Sequence, residues 1–122
     1  MNYHLILTQQ CNLRCRYCGG STERNENPQD ITYSLKELKN FLKFDPDVTI
    51  AFYGGEPLMK IEKMKQIIEE IPARRFILQT NGINLVHVDS ESLHRFNEIV
   101  ISIDGERETT DYYRGKGTYD RI

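Results

Sequence analysis

The sequence has almost no excess charge of either sign. Sixteen Lys and Arg stand against eighteen Asp and Glu, a formal net charge of −2, so nothing points to nucleic acid or an anionic membrane as a partner. It also lacks a long hydrophobic run. The opening residues MNYHLILTQQ carry no basic region ahead of a short apolar stretch, and so read as neither a signal peptide nor a membrane span. No repeat is present, and no low-complexity segment beyond one polar loop. No cysteine occurs outside residues 11–18, where there are three, an odd number that cannot pair off internally. The expected compartment is the cytoplasm, where thiols stay reduced and a cysteine group more often binds metal or does redox work than forms disulfides.

What is present describes one soluble domain. A chain of 122 residues, 39% hydrophobic and 28% charged, is long enough for a core and too short to divide. Short apolar runs predict strands at 4–8, 48–53, 74–80 and 98–104. Between them, helical spacing of Leu35, Leu38, Phe41 and Leu42 after a Ser34–Glu37 capping box predicts one helix. Leu58, Ile61, Met64, Ile67, Ile68 and Ile71 form the stripe of a second, opened by Pro57 at its first position. A shorter helix is expected at 90–96, and Thr118 is read as opening another. The βα units then run 4–44, 48–71 and 74–96, followed by a fourth strand at 98–104. This alternation predicts an α/β fold with a parallel sheet of about four strands and its helices on one face.

Glycine and polar residues concentrate where each expected strand ends: the cysteines after the first, GGEP after the second, QTNG at the third and SIDG at the fourth. In parallel α/β architectures that rim is where ligands bind. Period-two alternation places Ile99, Ile101 and Ile103 under helices. It turns Ser102 and Asp104 to the other side, with Gln79 and Asn81 sharing a side of strand three.

The motif CNLRCRYC spaces its cysteines C-x3-C-x2-C. Three thiols gathered at random into eight positions would be on the order of a one-in-a-hundred event. Buried structural cysteines want apolar surroundings, and Asn12, Arg14 and Arg16 do not supply them. Those arginines favour the thiolate, the metal-binding form. A structural zinc wants four protein ligands, and His4, the available histidine, lies about 15 Å or more away at the strand rise. An iron–sulfur cluster usually takes four thiolates, so three leave one iron for a non-protein ligand.

Cys11, Cys15 and Cys18 with Tyr17 before the last, followed by Gly54-Gly55-Glu56-Pro57 about forty residues on, resemble the radical S-adenosylmethionine (radical SAM) superfamily. The resemblance implies a [4Fe–4S] cluster on the three cysteines and S-adenosylmethionine chelating the open iron. It also implies reductive cleavage of that cofactor to a 5′-deoxyadenosyl radical, which abstracts hydrogen from a substrate. By the same resemblance Tyr17 lies beside the adenine, and Gly54, Gly55 and Glu56 form the turn whose backbone meets the methionine amino group. Ser102 hydrogen-bonds the ribose, with Asp104 a weaker companion, and Gln79 and Asn81 lie near the cofactor. Arg114 is read either as neutralising a carboxylate or as a solvated surface charge. The run SIDG followed by DYYRGKGTYDRI is similar to the sulfatase-maturase-like or SPASM branch, which implies a peptide or protein substrate.

The family core implied is a partial, TIM-like (β/α)6 barrel, of which this chain would be a truncated first part, with a cluster loop at 9–30. A flavodoxin or ferredoxin would supply electrons. Strand four would present an unpaired hydrophobic edge, and a homo-oligomer through it is expected. The alternative reading is a non-catalytic iron–sulfur or zinc-binding module.

Overall fold

The computed structural model describes residues 1–19 and 30–122. Most of the expected polar stretch in the 9–30 loop, residues 20–29, lies outside the described residues. Four strands, β1 (Asn2–Ile6), β2 (Thr49–Tyr53), β3 (Arg75–Thr80) and β4 (Glu98–Ile101), form one parallel sheet in the order β1-β2-β3-β4. Four helices connect or follow them: α1 (Leu35–Leu42), α2 (Ile61–Glu70), α3 (Ser90–His94) and α4 (Arg107–Arg114). None is long and apolar enough to cross a membrane among the described residues.

The local chemistry accounts for the boundaries. Glu37 donates its backbone N–H to Ser34 Oγ at 3.2 Å, and the Ser34 N–H donates to the Glu37 carboxylate at 2.7 Å, closing the capping box at the start of α1. The second helix does not begin at Pro57 as expected. Residues Pro57–Met59 make a 3₁₀ turn, in which the Lys60 N–H donates to the Pro57 carbonyl at 2.9 Å, and α2 starts afresh at Ile61. The tighter turn lets the chain leave β2 sharply before the longer helix begins.

Pleat alternation builds the core on one side of the sheet. Leu5, Leu7, Ile50, Phe52, Phe76 and Leu78 are buried there against Leu38, Leu42, Met64, Ile67, Ile68 and Ile71 of the helices. The opposite face, with His4, Ile6, Tyr53, Gln79 and Val100, is open to solvent. Phe41, counted in the stripe of α1, is 69% exposed, with its ring edge-on to Tyr3 on the outermost strand.

Two expectations fail at the fourth strand. Ile99, Ile101 and Ile103 are not tucked under helices but are 37%, 41% and 49% exposed, much like Val100 at 39%. The reason is where the helices go. The last residues around α3, Leu93 and Phe96, pack into the existing core, Phe96 lying edge-on to Phe52. The chain then forms α4, which turns toward the cysteine loop rather than over β4, with Arg16 donating its N–H to the Tyr113 carbonyl at 2.8 Å. Helix α4 has no signal in the sequence, because RETTDYYR carries no aliphatic stripe and buries only Thr110. Thr118 precedes only a 3₁₀ turn, Tyr119–Arg121.

Among the described residues the β4 edge is thus unpaired and apolar on both faces, a geometry that pairs readily with another chain. Our proposal is self-association through it. Sedimentation velocity at micromolar protein should show a dimer or larger species that Ile101→Lys shifts toward monomer, and a monomeric wild type would contradict it.

Candidate active site

The turn after β2 carries the site's frame. Gly54 has φ +122°, and a Cβ there would meet the Thr8 carbonyl oxygen at 2.6 Å; a Cβ on Gly55 would meet the carbonyl oxygens of Gln10 and Gln9 at 2.1 and 2.5 Å. Only glycine permits that approach. It brings the Gly55 N–H within 2.9 Å of the Thr8 carbonyl and the Glu56 N–H within 2.8 Å of the Gln10 carbonyl. The two glycines therefore seat the entry to the cysteine loop directly on the β2 turn.

Glu56 points the other way, into the protein, and is 1% exposed. Its Oε1 accepts from the Leu58 N–H at 2.9 Å and from Thr80 Oγ1 at 2.7 Å, and its Oε2 accepts from the Asn81 N–H at 2.8 Å. A buried carboxylate is tolerated only when so provided with donors. Its side chain is thus committed to joining β2's turn to the end of β3.

Above this frame, Cys11, Cys15 and Cys18 line one cavity of about 240 Å³ at the C-terminal rim of the sheet. Tyr17, Gly54, Gly55, Gln79, Asn81 and Ser102 line it too, as do Tyr53, Thr80 and Arg114. An apolar groove of about 340 Å³ lies between β1 and α1, but no cysteine borders it. His4 does, so the histidine weighed as a zinc ligand belongs to a different part of the molecule. Among the described residues no His, Cys, Asp or Glu side chains are grouped as three ligands of a single ion. Among the same residues, no fourth thiol and no imidazole lines the cysteine cavity. Three sulfurs in one cavity without such a further ligand fit a cluster with one open metal position.

Hydrogen bonds reach the Cys11 sulfur. The Leu13 N–H donates to Cys11 Sγ at 3.4 Å. Asn81 Nδ2, which donates to Asn12 Oδ1 at 2.7 Å, also lies 3.9 Å from the same sulfur. Asn12 in turn reaches Asn84 Oδ1 at 3.5 Å. Burial pushes the Cys15 thiol up, and the charge that opposes this comes from Arg114. The sequence pointed instead to Arg14 and Arg16. Arg16 is turned away, its Nε donating to the Tyr112 carbonyl at 2.7 Å and its guanidinium lying 4.2 Å from that ring's centroid. A metal bound at Cys15 would therefore have to displace a proton held by desolvation.

Of the residues that the resemblance assigned to the cluster or the cofactor, all but Glu56 and Asp104 border the cavity. Asp104 meets Tyr17 and Arg114 instead, with Arg114 Nε donating to Oδ2 at 2.7 Å. Arg114 is no solvated surface charge: its side chain is 11% exposed. Desolvation at the hydroxyl end and its hydrogen bond to Asp104 push the Tyr17 phenol up to about 12, although the residue as a whole is 54% exposed. Tyr53 and Thr110 escaped notice, since single polar or aromatic residues outside a motif carry no local signal, and Asn12 was noted only as a polar neighbour of the cysteines.

Glu56→Gln leaves one acceptor oxygen for donors now shared by two, and should cost about 1–3 kcal/mol, the penalty of one unmet buried partner. It would be read as a lower urea midpoint. Gly55→Ala should destabilise further and leave the cysteine loop susceptible to limited proteolysis; wild-type midpoints for both variants would contradict the role given to this turn.

Comparison with known proteins agrees with this geometry. The model of the Radical SAM superfamily matches residues 5–122. The chain is 39% identical over 89 residues to a GTP 3′,8-cyclase of Campylobacter curvus, covering 68% of this chain and 28% of that protein. It is 31% identical over 123 residues to an Fe-coproporphyrin III synthase of Methanosarcina barkeri, covering 93% and 30%. Among solved structures, native anSMEcpe with bound AdoMet and Cp18Cys peptide superimposes with a TM-score of 0.71 at 21% identity, over 98% of this chain and 37% of that one. Hexahistidine-tagged anSMEcpe with bound AdoMet gives 0.74 at 23%, and both likenesses bear on the fold. The chain spans about a third of the length of these proteins. With a family model covering nearly all of it, the chain belongs to the radical SAM superfamily.

Proposed function

We propose that Cys11, Cys15 and Cys18 hold a [4Fe–4S] cluster and that the cavity beside them binds S-adenosylmethionine for reductive cleavage. The observation that supports this most is the meeting of three thiols, the Gly54-Gly55 turn and Ser102 around one cavity that, among the described residues, offers no fourth thiol or imidazole. When bound, the cluster supplies the electron that splits the cofactor into methionine and a 5′-deoxyadenosyl radical, which takes hydrogen from a substrate.

This chain's own residues bind and orient. The N–H groups of Gly55 and Glu56 are committed to Thr8 and Gln10, so the turn presents carbonyl oxygens, the acceptors an ammonium group requires. Ser102 lines the cavity, and its backbone is fixed by donating to the Thr80 carbonyl at 2.9 Å. Tyr17 offers a ring face beside it, suited to an adenine. Arg114 supplies a cation at the cavity wall, which favours a carboxylate or a thiolate there.

The substrate we assign is a peptide or protein, on the likeness of the Ser102–Gly105 run and residues 111–122 to the peptide-modifying branch. The open face of the sheet, with Ile6, Tyr53 and Val100 exposed, is where it would lie. A flavodoxin or ferredoxin is the electron donor proposed, approaching where Cys18 is exposed. The relatives named as GTP 3′,8-cyclases make a nucleotide the substrate that would replace this assignment.

Anaerobic reconstitution with iron and sulfide, followed by S-adenosylmethionine and a strong reductant, should yield 5′-deoxyadenosine by chromatography. Cys15→Ala should abolish iron and sulfide uptake. Zinc bound in place of iron, or a cluster whose spectrum ignores the cofactor, would favour the non-catalytic module. With a product formed, deuterium transfer into 5′-deoxyadenosine from a deuterated peptide rather than from deuterated GTP decides the substrate class.

A further inference from the structure

Asp104 stands just beyond β4 and is held from three sides. Its N–H donates to Oγ1 of Thr110 at 3.2 Å, and Thr110 is fully buried in α4. Arg114, at the other end of that helix, grips the carboxylate with both arms: Nε donates to Oδ2 at 2.7 Å and an Nη nitrogen donates to Oδ1 at 3.2 Å. Such two-armed pairing fixes orientation as well as adding strength. With its position so determined, Asp104 accepts the Tyr17 hydroxyl, 3.0 Å from Oδ1 and 2.9 Å from Oδ2.

Tyr17 needs such a tether. Its ring is 54% exposed, and a side chain so placed is otherwise free to change rotamer. It is also the residue next to Cys18, whose N–H donates back to the Cys15 carbonyl at 3.1 Å. One residue earlier, Arg16 is bonded to α4 by both backbone and side chain, and the Tyr17 ring rests 5.7 Å from that of Tyr113. The second half of the cysteine loop is thereby fastened to α4 at consecutive residues.

We infer that Asp104 is a positioning residue. It does not touch the cofactor; through the Tyr17 hydroxyl it fixes the arm that carries Cys18, and α4 is the support it works from. The inference rests on the reading that the three thiols hold an iron–sulfur cluster.

The test is a double-mutant cycle on the rate at which a chelator removes iron from the anaerobically reconstituted protein, with iron and sulfide counted beforehand. Asp104→Asn and Tyr17→Phe should each speed iron loss about tenfold, the scale of one hydrogen bond to a charged group. The double variant should be no faster than the quicker single one, because both changes act on the same tether, the asparagine by removing the charge of the acceptor and the phenylalanine by removing the donor. Additive effects, near a hundredfold together, or rates equal to wild type overturn the inference. Thermal midpoints of the iron-free proteins separate this from a general loss of structure, which would lower them in step with the rates. Should Asp104→Asn fail to fold, Tyr17→Phe alone decides, and an unchanged rate counts against the tether. A wild type that takes up no iron or sulfide overturns the cluster reading itself, whereas a loaded wild type with unaffected variants overturns only the role of Asp104.

Discussion

The buried carboxylate of Glu56 is the interaction on which the rest depends. It is satisfied by two backbone N–H groups and a threonine hydroxyl. Those donors belong to the 3₁₀ turn after β2 and to the end of β3, so one side chain sets the relative position of two strand ends. The neighbouring glycines then let the Thr8–Gln10 backbone lie against the same turn. Three strand ends are joined at one point, and the cysteines follow immediately. A loop of this kind gains a fixed direction only because its base has nowhere else to go.

From that base the electrostatics follow. Burial holds the proton on Cys15 and Arg114 opposes it, so once that proton leaves, the guanidinium is the positive charge that offsets the thiolate. Arg114 can be brought this close without an unpaired buried charge because Asp104 shares it. The same aspartate anchors Tyr17, coupling the charge pattern of the rim to the shape of the cysteine loop. On the other side of the frame the sheet stays open. Ile6, Tyr53 and Val100 remain uncovered beside the cavity, while the aliphatic residues one pleat away are fully packed on β1 to β3. A sheet with one packed and one open face places a reactive site at the junction of the two.

The parts of this legible in the sequence are those with short-range signals. Pleat and helix periods located all four strands and three helices, and the capping box at Ser34 and Glu37 formed as written. The cysteine spacing and the Gly-Gly-Glu turn located the cavity, because each is a local pattern at a strand end. What escaped depends on contacts distant in sequence. Nothing near Glu56 announces that its side chain is bonded to Thr80 and Asn81, so its part in joining two strand ends was not legible in the motif. Arg114 looked like one of many surface charges, since its value lies in Asp104 and the cavity beyond. Helix α4 has no apolar face to reveal it; it is held by hydrogen bonds to the cysteine loop. The isoleucines of β4 alternate as core residues do, yet alternation says only which face they share, not whether a helix covers it.

The central claim is that three thiolates grip the cluster and leave one iron of four for the cofactor. Mössbauer spectroscopy of protein reconstituted with ⁵⁷Fe, recorded before and after adding S-adenosylmethionine, tests it most directly. The account predicts that about a quarter of the iron signal, the share of the one iron without a cysteine, changes its isomer shift while the rest stays in place. Spectra identical with and without the cofactor, or iron held in any form other than a four-iron cluster, would contradict it.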